Sequence, residues 1–127
     1  MTAIYLLAIA VGAVLGAWAR WGLTLVLNPV FPQVPLGTLA VNLIGGLLVG
    51  IAITVAEPAG LALATRLFIT TGFLGAFTTF SAFSAETMAL ILRADYGWAL
   101  ATAAAHLLGS LLMTGAGIFM VRMILAR

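Results

Sequence analysis

The chain has 127 residues, of which 65% are hydrophobic and only 6% are charged, whereas a soluble domain carries about 25% charged residues. This composition excludes a soluble globular protein, and at roughly 20 apolar residues per crossing the chain has room for about four membrane spans. Lysine and cysteine are absent and the net charge is only +2, which excludes a basic nucleic-acid surface, disulfides and thiolate metal sites.

Four apolar segments are predicted to be membrane-spanning helices, separated by short turns rich in Pro, Gly and charged residues. The segments are residues 3–27, 36–56, 66–92 and 98–124, within a single domain that covers residues 1–127. Because the turns are short, each helix is expected to run antiparallel to the one before it. The expected fold is an all-α membrane protein with four transmembrane helices.

The arginines are divided almost evenly between the two ends of this bundle. Arg66, Arg122 and Arg127 fall on the side that holds both termini, and Arg20 and Arg93 fall on the other side. Three against two is a weak orientation signal under the positive-inside rule. Either one orientation still dominates, or the chain inserts both ways up and pairs with an inverted copy.

The first span combines two glycines four residues apart, Gly12 and Gly16, with one charge, Arg20. Such glycine spacing lets helix backbones approach closely in a membrane, so it predicts tight packing. Four short helices leave little interior volume for a pathway, which favours an oligomer. The arginine either extends to the interface or attracts anions to a vestibule. Glycines expected to serve the same packing are Gly45, Gly46, Gly50, Gly109, Gly115 and Gly117.

The second span places Thr38 and Asn42 four residues apart, and therefore on one helix face. The amide of Asn42 has two donor hydrogens and an acceptor oxygen that lipid cannot satisfy. It is therefore either a clamp between helices or a donor directed into a pore.

The third span contains GFLGAFTTFSAFS, residues 72–84, which has poor helix formers at its centre. This composition predicts a break near the middle of the span, between Gly75 and Thr79. Broken helices at membrane depth are tolerated where the freed backbone groups are buried in protein or line a site, and in transporters such carbonyls coordinate cations. The break would thus offer carbonyl oxygens to a cation.

Phe80 and Phe83 follow the break, one helical turn apart. An aromatic pair at this spacing usually only packs, but ring edges carry a positive partial charge. Beside a donor such as Asn42, ring edges would favour a small anion that has lost its water. The neighbouring hydroxyl residues are Thr79, Ser81 and Ser84.

The fourth span carries His106, Ser110 and Thr114 at intervals of four, which forms one polar stripe. The stripe would line a hydrated or ion-conducting track, or it would form an interface between helices.

Glu86, late in the third span, is open to three interpretations: a carboxylate near the interface, a partner for an arginine, or a proton carrier.

Three motifs give the chain a specific resemblance: GAVLGAWAR, GTLAVNLIGGLLVG and GFLGAFTTFSAFS, in this order and in a chain of this length. Together they resemble the small fluoride channels of the Fluc or CrcB family over essentially the whole chain. The resemblance implies an antiparallel, dual-topology homodimer in the lipid of a bacterial inner membrane. Two pathways between the inverted copies would carry fluoride passively down its gradient, and the evenly divided arginines agree with such pairing.

The resemblance also implies roles for individual residues. Backbone carbonyls of Gly75 and Thr78 from both subunits would hold a structural sodium ion at the dimer centre. The fourth-span stripe would be a polar track whose first position, His106, is often tyrosine in the family. The expected pore and vestibule residues are Asn42, Phe80, Phe83, Thr79, Ser81, Ser84, Thr38, His106, Ser110, Thr114 and Arg20.

One position departs from the family pattern, because Ala82 stands where the third-span motif usually has a hydroxyl residue.

Two alternatives to a channel come from other classes. A small proton-coupled multidrug transporter needs an acidic residue in an early span, but the first span has Arg20 and no carboxylate. A non-conducting assembly subunit would use the glycines and Asn42 only as helix contacts. An enzyme is not expected, since three acidic residues and one histidine form no catalytic cluster.

Overall fold

A computed structural model describes residues 1–126, and all regular secondary structure in this range is helical. Four helical stretches are long and apolar enough to cross a membrane: Thr2–Val30, Leu36–Ala56, Leu63–Leu92 and Tyr96–Leu125. Their ends differ from the predicted bounds by three residues or fewer. The prediction of an all-α protein with four spans is confirmed. Arg127, which entered the count of charges, lies outside the described residues.

Three of the spans contain one continuous helix each, and the third span is built from several pieces. The continuous helices are α1 (Thr2–Leu27), α2 (Leu36–Ala56) and α6 (Tyr96–Leu125). The pieces of the third span are α3 (Leu63–Arg66), a π-helical segment (Leu67–Leu74), α4 (Gly75–Phe77) and α5 (Phe80–Leu92).

The third span is interrupted at Thr78 and Thr79, which we call the break. Both residues have extended backbones, with ψ of 158° at Thr78 and φ of −151° at Thr79. The break lies within the interval predicted from the glycines and threonines, so that prediction is confirmed. The π-helical segment that precedes it was not predicted.

A side chain from the end of α1 caps the start of α2. Asn28 begins a short 3₁₀ turn, Asn28–Val30, and its Oδ1 accepts a hydrogen bond of 3.1 Å from the backbone N–H of Thr38. The first N–H groups of a helix have no partner within the helix, so this bond satisfies one of them. It also fixes α1 relative to α2 at the level of Thr38.

Both ends of α5 have defined caps. At the start, Thr79 Oγ1 accepts a hydrogen bond of 3.1 Å from the N–H of Ala82. At the end, the N–H groups of Asp95 and Ala94 donate to the carbonyls of Leu90 and Ile91, each at 2.9 Å. These two bonds form a Schellman motif, and its left-handed position, usually glycine, is Ala94 with φ of 61°.

Glycines let α1 pack directly on the backbone of the third span. A Cβ added to Gly12 would lie 2.8 Å from the backbone nitrogen of Phe73, and one added to Gly16 would lie 3.0 Å from the carbonyl carbon of Phe73. The two backbones are therefore in contact along the π-helical segment, as the glycine spacing of the first span predicts.

Glycines also mediate the packing between α2 and α6. A Cβ on Gly46 would lie 2.9 Å from the carbonyl oxygen of Ser110, and one on Gly117 would lie 3.0 Å from the nitrogen of Ile51. Gly45 makes room for the methyl group of Thr78 at the break. Gly115 has nothing within 4 Å of such a Cβ, so the packing prediction was wrong for this glycine within one chain.

Candidate functional site

The side-chain amide of Asn42 forms hydrogen bonds with both backbone groups of Thr79, at the break. Its Oδ1 accepts a hydrogen bond of 2.8 Å from the N–H of Thr79, and its Nδ2 donates to the carbonyl oxygen of Thr79 at 2.9 Å. A backbone N–H can only donate and a carbonyl can only accept, so this pair of bonds fixes the orientation of the amide. Asn42 thus acts as a clamp between α2 and the third span, which was one of its two predicted roles.

The ring of His106 lies next to the same amide. Its Nδ1 is 2.9 Å from Asn42 Nδ2, and its plane stacks on Phe83 with ring centroids 4.4 Å apart and an interplanar angle of 26°. Only 4% of the residue is exposed. Asn42, the break, α5 and α6 therefore meet at one buried junction.

Phe80 and Phe83 make the aromatic contact that their spacing predicts. Their rings meet edge to face, with centroids 5.4 Å apart and an interplanar angle of 74°. Phe83 is half-buried against His106, whereas Phe80 is 79% exposed in the single chain. A large ring this exposed offers a surface to lipid or to another protein chain.

These residues border an open cavity of about 340 Å³, which we call the first cavity. It brings together several predicted pore residues from three spans, and with them Thr78, a predicted ligand of the sodium ion. Those that line it are Asn42, Thr78, Thr79, Phe80, Phe83, His106, Ser110 and Thr114.

A second cavity, of about 320 Å³, lies against α1 and the starts of α2 and α5. Arg20, Thr38 and Glu86 line it, together with Ala82, the position that lacks the expected hydroxyl. Thr79 borders both cavities. The two cavities therefore share one lining residue among the site residues named here, and this residue carries a hydroxyl group.

Within the second cavity, Thr38 Oγ1 donates a hydrogen bond of 2.6 Å to Oε1 of Glu86. The other carboxylate oxygen, Oε2, is buried and has no hydrogen-bond partner among residues 1–126. The sequence left the partner of Glu86 open, and the structure supplies a threonine on α2.

Three predicted site residues lie away from the cavity walls. Ser84 and Gly75 are exposed and line neither cavity. Ser81 is also exposed, although its Oγ lies 3.3 Å from Thr79 Oγ1. Ser81 is therefore joined to the site by this hydrogen bond to Thr79.

The break leaves backbone oxygens available. In a continuous helix the N–H of Thr79 would bond to the carbonyl of Gly75, four residues earlier. Here that N–H bonds to Asn42 instead, and the extended Thr78 ends the helix of α4. The carbonyls of Gly75 and Thr78 are oxygen ligands of the kind that hard cations bind.

Sequence reasoning missed Thr102, whose Oγ1 is buried and has no hydrogen-bond partner in the described part of the chain. A signal was present, because Thr102 lies four residues before His106 and extends the same stripe. Asn28 was missed because its cap to Thr38 depends on the turn between α1 and α2, which no helical periodicity encodes.

Comparisons with known proteins identify the family. The profile of a family described as "CrcB-like protein, Camphor Resistance (CrcB)" matches residues 7–118. The chain belongs to the CrcB family. A relative from Burkholderia pseudomallei is 53% identical over 122 residues, which is 95% of each chain. A second, from Nitrosospira multiformis, is 53% identical over 118 residues, or 92% of each chain. Both relatives carry the name "Fluoride-specific ion channel FluC".

With its four spans, this CrcB protein is a multi-pass membrane protein. The names of the relatives describe channels and not enzymes. The family predicted from the three sequence motifs is confirmed.

Proposed function

We propose that the protein is a passive channel selective for fluoride. The observation that carries the proposal is the near full-length identity to relatives named as fluoride-specific channels. The geometry supports it, because two cavities with polar and aromatic walls meet at Thr79, inside a chain that crosses the membrane four times.

Each cavity offers chemistry suited to an anion. The guanidinium of Arg20 would raise the local concentration of anions at the second cavity. In the first cavity, hydroxyl groups of Ser110 and Thr114 would replace water around the ion, and the ring edges of Phe80 and Phe83 would contact it with their positive rims. A small ion with concentrated charge gains most from such donors.

We also propose that two copies pair in opposite orientations. The first cavity is open, and Phe80 on its wall is largely exposed. An inverted second copy would cover both features and make one pathway on each side of the two-fold axis. Tagging each terminus and labelling it from one side of sealed vesicles tests the pairing. Labelling of about half of the molecules at each terminus is expected, and complete labelling of one face would contradict it.

A sodium ion at the centre of this dimer is part of the proposal. The carbonyls of Gly75 and Thr78 would hold it, one set from each subunit, and the diversion of the Thr79 N–H to Asn42 makes the Gly75 carbonyl available. When bound, the ion would supply charge that pins the two breaks together.

Fluoride efflux from liposomes that contain the purified protein tests the function, with chloride efflux measured in parallel. Fluoride efflux well above that of protein-free liposomes, with little chloride efflux, is expected. Equal flux of both ions, or no flux of either, would contradict the proposal, and the second outcome would favour a non-conducting assembly subunit.

Phe83→Ile sharpens this test, because it keeps apolar volume but removes the ring that stacks on His106. We expect it to reduce fluoride efflux at least about tenfold, the effect of roughly 1.4 kcal/mol on a barrier. Phe119→Ile is the matched control, since Phe119 is 65% exposed on α6 and borders neither cavity. Equal efflux from both variants would remove Phe83 from the pathway.

A further inference from the structure

Three buried side-chain atoms have no hydrogen-bond partner among residues 1–126: Glu86 Oε2, Thr102 Oγ1 and His106 Nε2. They belong to α5 and α6, which follow one another in the chain. Native proteins leave few buried polar groups without a partner, because each such group costs free energy. Three of them on two neighbouring helices therefore call for one explanation.

The register between α2 and α6 places Thr102 beside Thr38. Two contacts define this register, with the residue of α6 numbered 64 positions after that of α2 in each: Asn42 with His106, and Gly46 with Ser110. The two helices therefore run parallel in constant register, and the next pair, one turn earlier, is Thr38 and Thr102. Both of these threonines are buried, with 1% and 0% exposed.

The register between α5 and α6 brings Glu86 to the same level. These helices are joined by a short turn and run antiparallel, and Phe83 stacks on His106. One turn from each of these rings toward the connection lie Glu86 on α5 and Thr102 on α6. The hydrogen bond of 2.6 Å between Thr38 and Glu86 agrees with this placement. Glu86, Thr102 and His106 therefore meet between three helices.

The three unpartnered atoms have complementary hydrogen-bonding roles. The contacts of the Asn42 amide with Thr79 direct its Nδ2 donor at His106 Nδ1, so Nδ1 accepts and the ring proton lies on Nε2. The hydroxyl of Thr102 can donate or accept, and Oε2 of Glu86 accepts. None of the three bonds directly to another, so a gap wider than one hydrogen bond separates donor from acceptor.

We infer that one water molecule is bound in the interior of the protein between Glu86, Thr102 and His106. It would accept hydrogens from the Nε2–H of His106 and the hydroxyl of Thr102, and donate one to Oε2 of Glu86. Three hydrogen bonds is the usual number for a buried water. An anion would lie against the acceptor oxygen of Glu86, and a cation would lie against the N–H of His106. A molecule that both donates and accepts serves all three atoms.

The water would connect the walls of the two cavities through the protein interior. Glu86 lines the second cavity and His106 lines the first. With the water in place, hydrogen bonds run without interruption from Thr38 through Glu86 and His106 to Asn42. This chain of bonds would hold α2, α5 and α6 together at the junction, whichever ion the protein conducts.

Nitrogen NMR of the imidazole tests the inference directly, because the chain contains one histidine. Protein labelled with ¹⁵N-histidine is reconstituted in lipid and studied in buffer without fluoride. We expect a bare Nδ1, a protonated Nε2, and transfer of magnetisation from water protons to the Nε2–H. A proton on Nδ1, or an Nε2–H that contacts no water, would overturn the inference.

Thr102→Val distinguishes a hydroxyl that is bonded to water from one that has no partner. Valine has nearly the same shape, so the change removes one bond of the water and little packing. We expect the ratio of folded to unfolded protein in detergent to fall about fivefold, the effect of one hydrogen bond, and the water contact of the Nε2–H to weaken. An unpaired buried hydroxyl is itself costly, so a variant at least as stable as the unsubstituted protein would overturn the inference.

Thr54→Val is the matched control, since the hydroxyl of Thr54 bonds only to the carbonyl of Gly50 in its own helix. It should change the folded ratio less than Thr102→Val does, and leave the water contact of His106 as it is. An equal loss in both variants would assign the effect to any threonine in a span and overturn the role of Thr102. If Thr102→Val does not fold, the NMR measurement on the unsubstituted protein decides.

Discussion

The two halves of the third span are held in place in different ways. Before the break, the π-helical segment and α4 pack on α1, with the backbones in direct contact at Gly12 and Gly16. After the break, α5 packs on α6 through side chains, with Phe83 stacked on His106. Between Leu67 and Phe77 the first half carries no titratable side chain, since these residues are apolar, glycine or threonine.

The two halves therefore have different roles: the first positions the break, and the second supplies side chains that line the cavities. Backbone contact has no rotamers to adjust, so the first half fixes the height and direction of the break. Side chains of the second half, among them Phe80 and Phe83, line the first cavity, and under the proposed function they would contact the ion. The four variants below test this division, from the largest expected effect to the smallest.

Gly16→Ala tests the packing of the half of the third span that precedes the break. The new methyl group would meet the backbone of Phe73 and Phe77 and no flexible side chain that could move away. We expect a loss of about 3 kcal/mol in the free energy of unfolding in detergent, the upper range for overpacking. Gly115→Ala is the control, since nothing lies within 4 Å of its Cβ position. Equal stability of the two variants would show that α1 and the third span are not in backbone contact.

Thr38→Val removes the hydrogen bond to Glu86 while preserving the shape of the side chain. Thr38 is buried, so both carboxylate oxygens of Glu86 would then lack a partner among residues 1–126. A cost of about 2 kcal/mol in unfolding free energy is expected for a buried polar group left unpaired. Thr38→Ser keeps the hydroxyl and should cost clearly less. If valine is tolerated as well as serine, the bond contributes nothing to stability.

Thr79→Val tests the cap of α5 at the point where the two cavities meet. It removes the hydroxyl that accepts from the N–H of Ala82 but leaves both backbone bonds to Asn42. Loss of an N-cap costs about 1 kcal/mol, measurable by chemical unfolding, and Thr79→Ser should retain most of it. A valine variant as stable as the serine variant would argue against the cap.

Ala94→Gly, at the far end of α5, should stabilise the protein. Ala94 has a left-handed backbone with φ of 61°, which costs a residue with a Cβ about 1 kcal/mol relative to glycine. We expect a gain of about 0.5 kcal/mol after the greater flexibility of glycine in the unfolded chain is deducted. Ala101→Gly, at an exposed position within α6, should lose stability instead. A loss in both variants would contradict the strained geometry.

The sequence was sufficient for the spans and for the break, because both depend on local composition. Long apolar runs predict helices, and the glycines and paired threonines at 72–79 predict where the third helix fails. The π-helical segment was out of reach, since eight mostly apolar residues have no period that separates a π-helix from an α-helix.

The polar pairs of the site were also beyond prediction. Asn42 and Thr79 are 37 residues apart, and Thr38 and Glu86 are 48 residues apart. Which face of α2 meets the break depends on the close approach of Gly45 to Thr78, a packing detail rather than a pattern. The sequence therefore predicted that Asn42 needs partners, but not that the break would take both sides of its amide.

The π-helical segment also affects the helical register of the third span. A π-helical turn takes up about one residue more than an α-helical turn. Deleting one residue between Leu67 and Leu74 would therefore let this stretch wind as an ordinary α-helix while the residues downstream keep nearly their present orientation. The rings of Phe80 and Phe83 would then keep their neighbours, whereas a residue added without a further wide turn would rotate both rings by about 100° around the helix axis. This stretch is therefore expected to tolerate the loss of one residue better than the gain of one.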